Sequence, residues 1–440
     1  MRFSKYFLTI LFLACGILAQ AQQDTVITLQ QCLDIAIKNN LSVKQASVTA
    51  EQAHIGLNQA KDNLIPSITG GANRNLTSGR ALNPVTNAYI TQSVTSDNYN
   101  LSGNVTIFNG LALQSAIKQA SLAYQSGKMA YQAAKDLVIV NVITNYLLVL
   151  DAKELLGQSQ SQLAVAKENL DIASTKENYG ANTTASTFSD LKGAYATSKV
   201  AVVVGQNSLD AAKLSLFQLM NIPYNKNTQL QPLTAQDLLG DKDANAEQVY
   251  ETALQQLAEV KAATLMRQSA EKGVQYARGQ LFPTLFLGGG IGTNYSNLNT
   301  ESYYSQFRNN YGTDLEIGLN VPIFTNHIKK NAVALAKLNL LNYTYLEDAT
   351  KVQVKQSVET AWANMIAAYN RYIALQDEVD AFAESYRVQK IRFDAGVITS
   401  DLFLLAKNNM DAAELSLIAA HYDYIIYSKV LDYYQGKLTP

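Results

Sequence analysis

This chain carries an internal duplication. Its two halves repeat each other at an offset of about 216 residues along nearly the whole sequence. Val43-Lys44 recurs as Val260-Lys261, and Leu64-Ile65-Pro66 as Leu281-Phe282-Pro283. Asn104 to Phe108 recurs as Asn320 to Phe324, and Tyr179-Gly180 as Ala395-Gly396. Several matches at one nearly constant offset are not chance, so the fold must accommodate two copies of one motif.

Within each half the predicted order is helix, strand pair, very long helix, turn, helix. Pro66 and Pro283 end the first helix, because a residue without a backbone donor cannot continue it, and admit the chain to a strand. No proline lies between Pro84 and Pro223 or between Pro322 and Pro440, so long helices are permitted there. Val142, Val149, Leu156, Leu163 and Leu170 fall seven apart, as do the small residues Ala152, Ser159, Ala166 and Ala173. The second copy repeats the period with Val358, Met365, Tyr372, Val379 and Tyr386. A sustained period of seven marks supercoiled helices whose apolar seam faces a neighbour. A helix of about 65 residues would be roughly 100 Å long, which no compact domain needs. Tyr195, Val202, Leu209 and Leu216 begin a return helix in the first half, and about Asp401 to Tyr433 does so in the second.

The expected domains are a first repeat over 22–223, a linker over 224–244 and a second repeat over 245–440. Strands are placed at about 67–77, 98–108, 284–297 and 311–321, and helical hairpins at about 111–219 and 327–433.

Two of the strand segments alternate cleanly with period two. Tyr99, Leu101, Val105 and Ile107 alternate with Asn98, Asn100, Ser102, Asn104 and Thr106. Tyr311, Leu315, Ile317, Leu319 and Val321 alternate with Gly312, Asp314, Glu316, Gly318 and Asn320. One face suits lipid and the other water, and about ten residues is the length a tilted strand needs to cross a bilayer. Their partners alternate less cleanly and carry Gly70-Gly71 and Gly288-Gly289-Gly290, which permit curvature or close backbone approach. Tyr89, Tyr295, Tyr303, Tyr304 and Phe307 lie where interfacial rings would sit, a placement that edge aromatics of a soluble sheet would share. Four strands cannot close, and an open edge in hydrocarbon leaves backbone groups unpaired at several kcal/mol each. Strands must come from identical copies; two copies give eight, too narrow for an aqueous bore, and three give twelve.

The N-terminus fits an export signal, with Arg2 and Lys5, an apolar run from Tyr6 to Leu18 and Ala19-Gln20-Ala21, so 1–21 is read as a removed signal peptide. Cys15 behind Leu11 to Ala14 also forms an imperfect lipoprotein box, the alternative reading. After cleavage at Ala21, Cys32 is the one thiol left, so no disulfide within the chain holds the fold. The most apolar stretch of the mature chain, Leu137 to Leu150, is too short to span a membrane and is broken by Asn141, Thr144 and Asn145. Thirty-five basic and 36 acidic residues nearly cancel, which leaves no basic footprint for nucleic acid.

The duplicated plan, with strands entered at Pro66 and Pro283 and left at Ile107-Phe108-Asn109-Gly110 and Pro322-Ile323-Phe324, resembles the TolC-type outer-membrane efflux family. The segment from Phe393 to Ser400 is similar to that family's periplasmic turn, and Tyr179-Gly180 is its cruder first copy. The resemblance implies an α+β membrane protein: a homotrimer whose twelve-stranded transmembrane β-barrel is continued by a twelve-helix periplasmic α-barrel. Asn221 to Ala244, with Pro223 and Pro232, would join a collar around the tunnel. Cargo would arrive from an inner-membrane pump of RND or ABC type through a periplasmic adaptor, with docking around Tyr179, Gly180, Phe393 and Gly396.

The sequence also departs from the family. Acidic residues six and nine positions after each turn glycine are replaced by Ser186 and Ser189, and by Leu402 and Leu405. Asp190 and Asp401 lie nearby, so these six residues are the candidate tunnel constriction, acidic or hydrophobic. Ile398 stands where a basic residue is usual, and Asn326-His327 where two small residues are. Asp314 and Glu316 fall on the polar barrel face as candidate lumen residues.

Chemistry finds no foothold. His54, His327 and His421 lie in different elements without ligand-spaced partners, and there is no Walker sequence or nucleophile elbow, so neither enzyme activity nor a cofactor is expected. Two other functions stay open: a periplasmic adaptor, which should carry one hairpin in a small β-domain, and a non-transporting envelope spacer.

Overall fold

The computed structural model describes residues 26–83, 86–178, 185–233 and 245–437. The expected signal peptide and Cys15, Pro84, and the first turn residues Tyr179 and Gly180 lie outside them, as does most of the 224–244 linker.

The duplication holds element by element. A two-residue strand β1 (Val26–Ile27) leads into α1 (Leu29–Asn39) and α2 (Leu41–Asp62); their counterparts are β4 (Gln229–Leu230), α5 (Ala246–Gln256) and α6 (Ala258–Gly279). Each half therefore opens with two helices where one was expected. The break falls at Asn40 and, 217 residues on, at Leu257, both extended, with each backbone N–H still bonded to the carbonyl four residues back. Asn40 Oδ1 then accepts from the Ser42 and Val43 amides, so one residue closes α1 and caps α2. Thr28 and Asn245 cap the two first helices in matched positions.

The strand pairs are β2 (Ser67–Leu82) with β3 (Tyr89–Phe108), and β5 (Thr284–Ser296) with β6 (Gly312–Asn320). A seven-residue helix, α7 (Tyr303–Asn309), sits between the second pair. The long helices α3 (Ala112–Asn178) and α8 (Ile328–Asp394) each have 67 residues, and the return helices α4 (Ala185–Leu219) and α9 (Ser400–Tyr434) each have 35.

By contacts the chain divides into two units. One combines 46–132 with 258–351 and holds the sheet. Its order is β2-β3-β5-β6, all antiparallel, so the two hairpins join through β3 and β5. Leu101, Ile291, Leu287, Ile317, Leu285 and Leu319 share one face through the rows Leu101↔Ile291, Leu287↔Ile317 and Leu285↔Leu319. The rows Thr69↔Ser102↔Gly290↔Asp314 and Ser67↔Asn104↔Gly288↔Glu316 occupy the other. The alternation read from the sequence is thus real, and the apolar face is exposed: Leu315 is 79% and Ile317 74% accessible.

The strand-to-helix exits show why Gly110 is needed. Gly110 and Leu111 are both left-handed, and a Cβ on Gly110 would lie 2.5 Å from the Gly279 carbonyl. The equivalent Asn326 and His327 are left-handed as well, with asparagine, which tolerates that region, where glycine stood.

The other unit combines 26–45, 133–257 and 352–437 of the described residues. Its seam follows the small residues of α3: Ala152, Ser159, Ala166 and Ala173 are buried, together with Val142, Val149 and Leu156, whereas Leu163 and Leu170 are half-buried. The apolar stretch of α3 is long enough by composition to cross a membrane, yet Val142, Tyr146, Leu147 and Val149 are fully packed inside this unit. Tyr146 donates to the Gln231 carbonyl at 2.6 Å. Cys32 is fully buried there, and burial pushes its thiol up to about 12, so it is unreactive.

Candidate functional site

Four helix ends meet at the turn between α8 and α9. Gly396 is left-handed, the Gly396 N–H bonds the Phe393 carbonyl at 2.9 Å and the Val397 N–H bonds the Arg392 carbonyl at 2.9 Å. This 6→1 and 5→2 pair is the glycine-terminated helix end, and it is why Gly396 sits where it does. Phe393 stacks on the fully buried Phe403 with centroids 4.6 Å apart and planes 8° from parallel. Ala173 of α3, Leu191 of α4 and Phe403 of α9 share one core, with Tyr386 and Ile398 packed against it. Ile398, found where a basic residue is usual, thus serves packing.

Asp190 and Ser400 tie the return helices together: the buried Ser400 hydroxyl donates to Asp190 Oδ2 at 2.7 Å, and Ser186 Oγ donates to the same oxygen at 3.5 Å. The Thr399 hydroxyl, followed by the Asp401 and Leu402 amides, holds the exposed Asp401 carboxyl below the usual range. Ser189 is exposed, and Leu402 and Leu405 are 48% and 58% accessible on one face of α9, three residues apart. A groove of about 260 Å³ opens beside Gly396, lined among others by Ile172, Lys176, Thr187 and Phe393. The structure therefore gathers Phe393, Gly396, Asp190 and the start of α9 at one turn.

On the sheet, Asp314 and Glu316 are exposed on the polar face opposite Gly290 and Gly288. A Cβ on Gly290 would lie 2.7 Å from Asp314 Oδ1, and one on Gly318 would lie 2.2 Å from the Phe286 ring. The glycines let these side chains lie flat across the neighbouring strand.

Three features had no signal in the sequence that periodicity could catch. Asp97, on the apolar face, is 1% exposed and held by Arg74 through Nε at 2.7 Å and Nη2 at 2.6 Å. Gln306 of α7 is equally buried, accepts from the Ser296 amide and donates to the Glu301 carbonyl, which ties α7 to the loop. In the helical unit, Lys407 is buried against Asp411, and Gln162 donates to the Asp411 carbonyl at 3.2 Å.

The same unit holds an acidic group near mid-helix. Burial, then Asp423 and Glu154, push the Asp151 carboxyl up to about 6, and its Oδ1 is buried without a hydrogen-bond partner among the described residues. Tyr422 donates to Glu154 at 2.8 Å and Arg371 lies 3.4 Å from Asp423. A raised acid favours the folded state when protonated, so this contribution is present below about pH 4 and lost as pH rises to about 6. Asp151→Asn should stabilise the protein at pH 7.5 by about 1 kcal/mol after discounting for the solvent that reaches a half-buried group, and by nothing at pH 4. Thermal melts of the two proteins at both pH values check this.

Among the described residues no group of three or more His, Cys, Asp or Glu could hold a metal ion. His421 is half-buried, stacked on Tyr372 at 5.0 Å, and burial lowers its pKa.

Comparison with known proteins decides the family. The pattern of the outer membrane efflux protein family matches residues 32–221 and 249–436, one stretch in each repeat. The chain belongs to the outer membrane efflux protein family. Among relatives of this outer membrane efflux protein, TolC of Escherichia coli is 23% identical over 408 residues, covering 90% of this chain and 80% of that protein. The outer membrane efflux protein BepC of Brucella suis is 22% identical over 414 residues, covering 94% and 86%. The CmeC outer membrane channel of Campylobacter jejuni has the same fold at a TM-score of 0.79 and 19% identity, covering 93% of this chain and 86% of that one. The efflux protein described here is accordingly a protein of the outer membrane of a Gram-negative bacterium.

Proposed function

We propose that three copies of this chain close a twelve-stranded barrel in the outer membrane, continued by a twelve-helix periplasmic tunnel. The assembly is the passive exit duct of a tripartite efflux or type I secretion system. The observation that carries this reading is the sheet: among the described residues it has four strands, an exposed apolar face, a polar face with acids and glycines, and two edge strands, β2 and β6, without a partner. Such edges in hydrocarbon must pair with further strands. Apolar side chains left uncovered on α8, including Leu335, Leu338 and Tyr345, and on α4, including Val200 and Val203, give neighbouring copies a helical face to pack on.

In this reading the turn at Phe393 and Gly396, with its first-copy counterpart Tyr179 and Gly180, receives a periplasmic adaptor coupled to an inner-membrane pump of RND or ABC type. Ser186, Ser189, Asp190, Asp401, Leu402 and Leu405 line the narrow end, and Asp314 and Glu316 face the barrel lumen. Because Asp190 is engaged by Ser400 and the two leucines are exposed, the constriction is more apolar than a ring of free carboxylates. Purified protein in planar bilayers should give discrete ohmic conductance steps, and deleting the gene should abolish export while the envelope stays intact. A protein that never conducts, or a deletion that leaves export unchanged, contradicts the duct.

A further inference from the structure

The two hairpins obey the duplication residue for residue. Adding 217 carries Pro66 of the first copy onto Pro283 and hence β2 onto β5; adding 216 carries Asn104 onto Asn320 and hence β3 onto β6. Under these shifts the pair Ser67↔Asn104 becomes Thr284↔Asn320, and Gly71↔Asn100 becomes Gly288↔Glu316. Both resulting pairs are present in the second hairpin. The sheet therefore has hairpins of one register, joined at the single seam β3–β5, and two bare edges, β6 and β2.

In a closed ring of such hairpins β6 of one copy meets β2 of the next, and that seam is the counterpart of β3–β5 between the halves of one chain. Closure of a barrel requires a fixed stagger between strands, which a ring of like hairpins meets by repeating one register at every seam. We propose that the intersubunit seam copies the β3–β5 register, so that Glu316 faces Asn75 of the next copy and Asp314 faces its Thr77. This rests on the trimeric barrel proposed above and names the surface that closes it. The assignment follows from Asn100↔Gly292 and Asn98↔Asn294 by the same shifts.

The chemistry of the seam agrees. Each luminal acid meets a side chain that can donate, the Asn75 amide or the Thr77 hydroxyl, and no like charges are opposed. On the other face Leu315, 79% exposed in the single chain, meets Leu76, which is 74% exposed. Leu319 and Val321 meet Ala72 and Gly70, large over small. A slip of one residue would bring apolar side chains of β6 against the polar face of β2.

Cysteine pairs test the register in the full-length protein in outer membranes, in a Cys32→Ser background. Asp314→Cys with Thr77→Cys, and independently Glu316→Cys with Asn75→Cys, should close into covalent trimers under an aqueous oxidant. Asp314→Cys with Asn75→Cys, a two-residue slip, separates the Cα atoms by more than about 7 Å and should yield about tenfold less. Covalent trimer from the slipped pair instead overturns the register. So does failure of every pair in particles whose mass is that of three copies. Particles with the mass of one chain would remove the trimer reading itself, and the register with it.

Discussion

A chain carrying Leu315→Arg should be made and exported but should not accumulate as assembled trimer. Leu315 lies near the middle of β6 on the apolar face, the face proposed to meet lipid. A guanidinium near the bilayer midplane costs roughly 2 to 4 kcal/mol per site in a transmembrane barrel. Three symmetric copies multiply this to about 6 to 12 kcal/mol, comparable with the whole stability of a typical domain. The paired control is Asn104→Arg, on the opposite, polar face, where water solvates the charge; it should assemble normally. Heat-resistant trimer bands from outer-membrane fractions read both. Equal assembly of the two variants would show that the faces are assigned wrongly or that the sheet does not meet lipid.

The second large effect is expected at the turn. Gly396→Val forces a β-branched residue into a left-handed backbone at φ +73°, at a strain of about 1 to 3 kcal/mol. Among the described residues no heavy atom lies within 4 Å of a Cβ built there, so the strain rather than a clash reshapes the turn. Because Phe393 stacks into the core beside it, the turn has little freedom to relax without losing that contact. Export that depends on the adaptor should fall at least about tenfold while trimers persist, since the global stability far exceeds the local strain. Gly396→Asn, which tolerates the same backbone region, should retain most export. Normal export by the valine variant would remove the turn from the docking surface.

Much of the architecture was legible because it repeats. Pro66 and Pro283 end their helices, the period of two separates Leu101 and Ile317 from Asn100 and Glu316, and the period of seven foretells the 67-residue helices. What escaped has local physical reasons. The breaks at Asn40 and Leu257 carry neither glycine nor proline, and a one-residue interruption leaves the helical pattern nearly intact. Strands β2 and β3 run to 16 and 20 residues, longer than expected, because their loop ends pair as backbone without an apolar side to alternate. A seven-residue helix such as α7 is too short to show a period, and the Arg74–Asp97 pair joins residues on two strands. At the turn, Gly396 and Phe393 were readable from the motif itself. The Asp190–Ser400 link was not, since it joins residues 210 apart in sequence.

Whether three copies assemble is read from the mass, by light scattering, of the protein extracted in detergent from the outer-membrane fraction. Three copies are expected in a particle, viewed in negative stain, well over about 100 Å long, the length of one 67-residue helix. A compact particle with the mass of a single chain would contradict both barrel and tunnel.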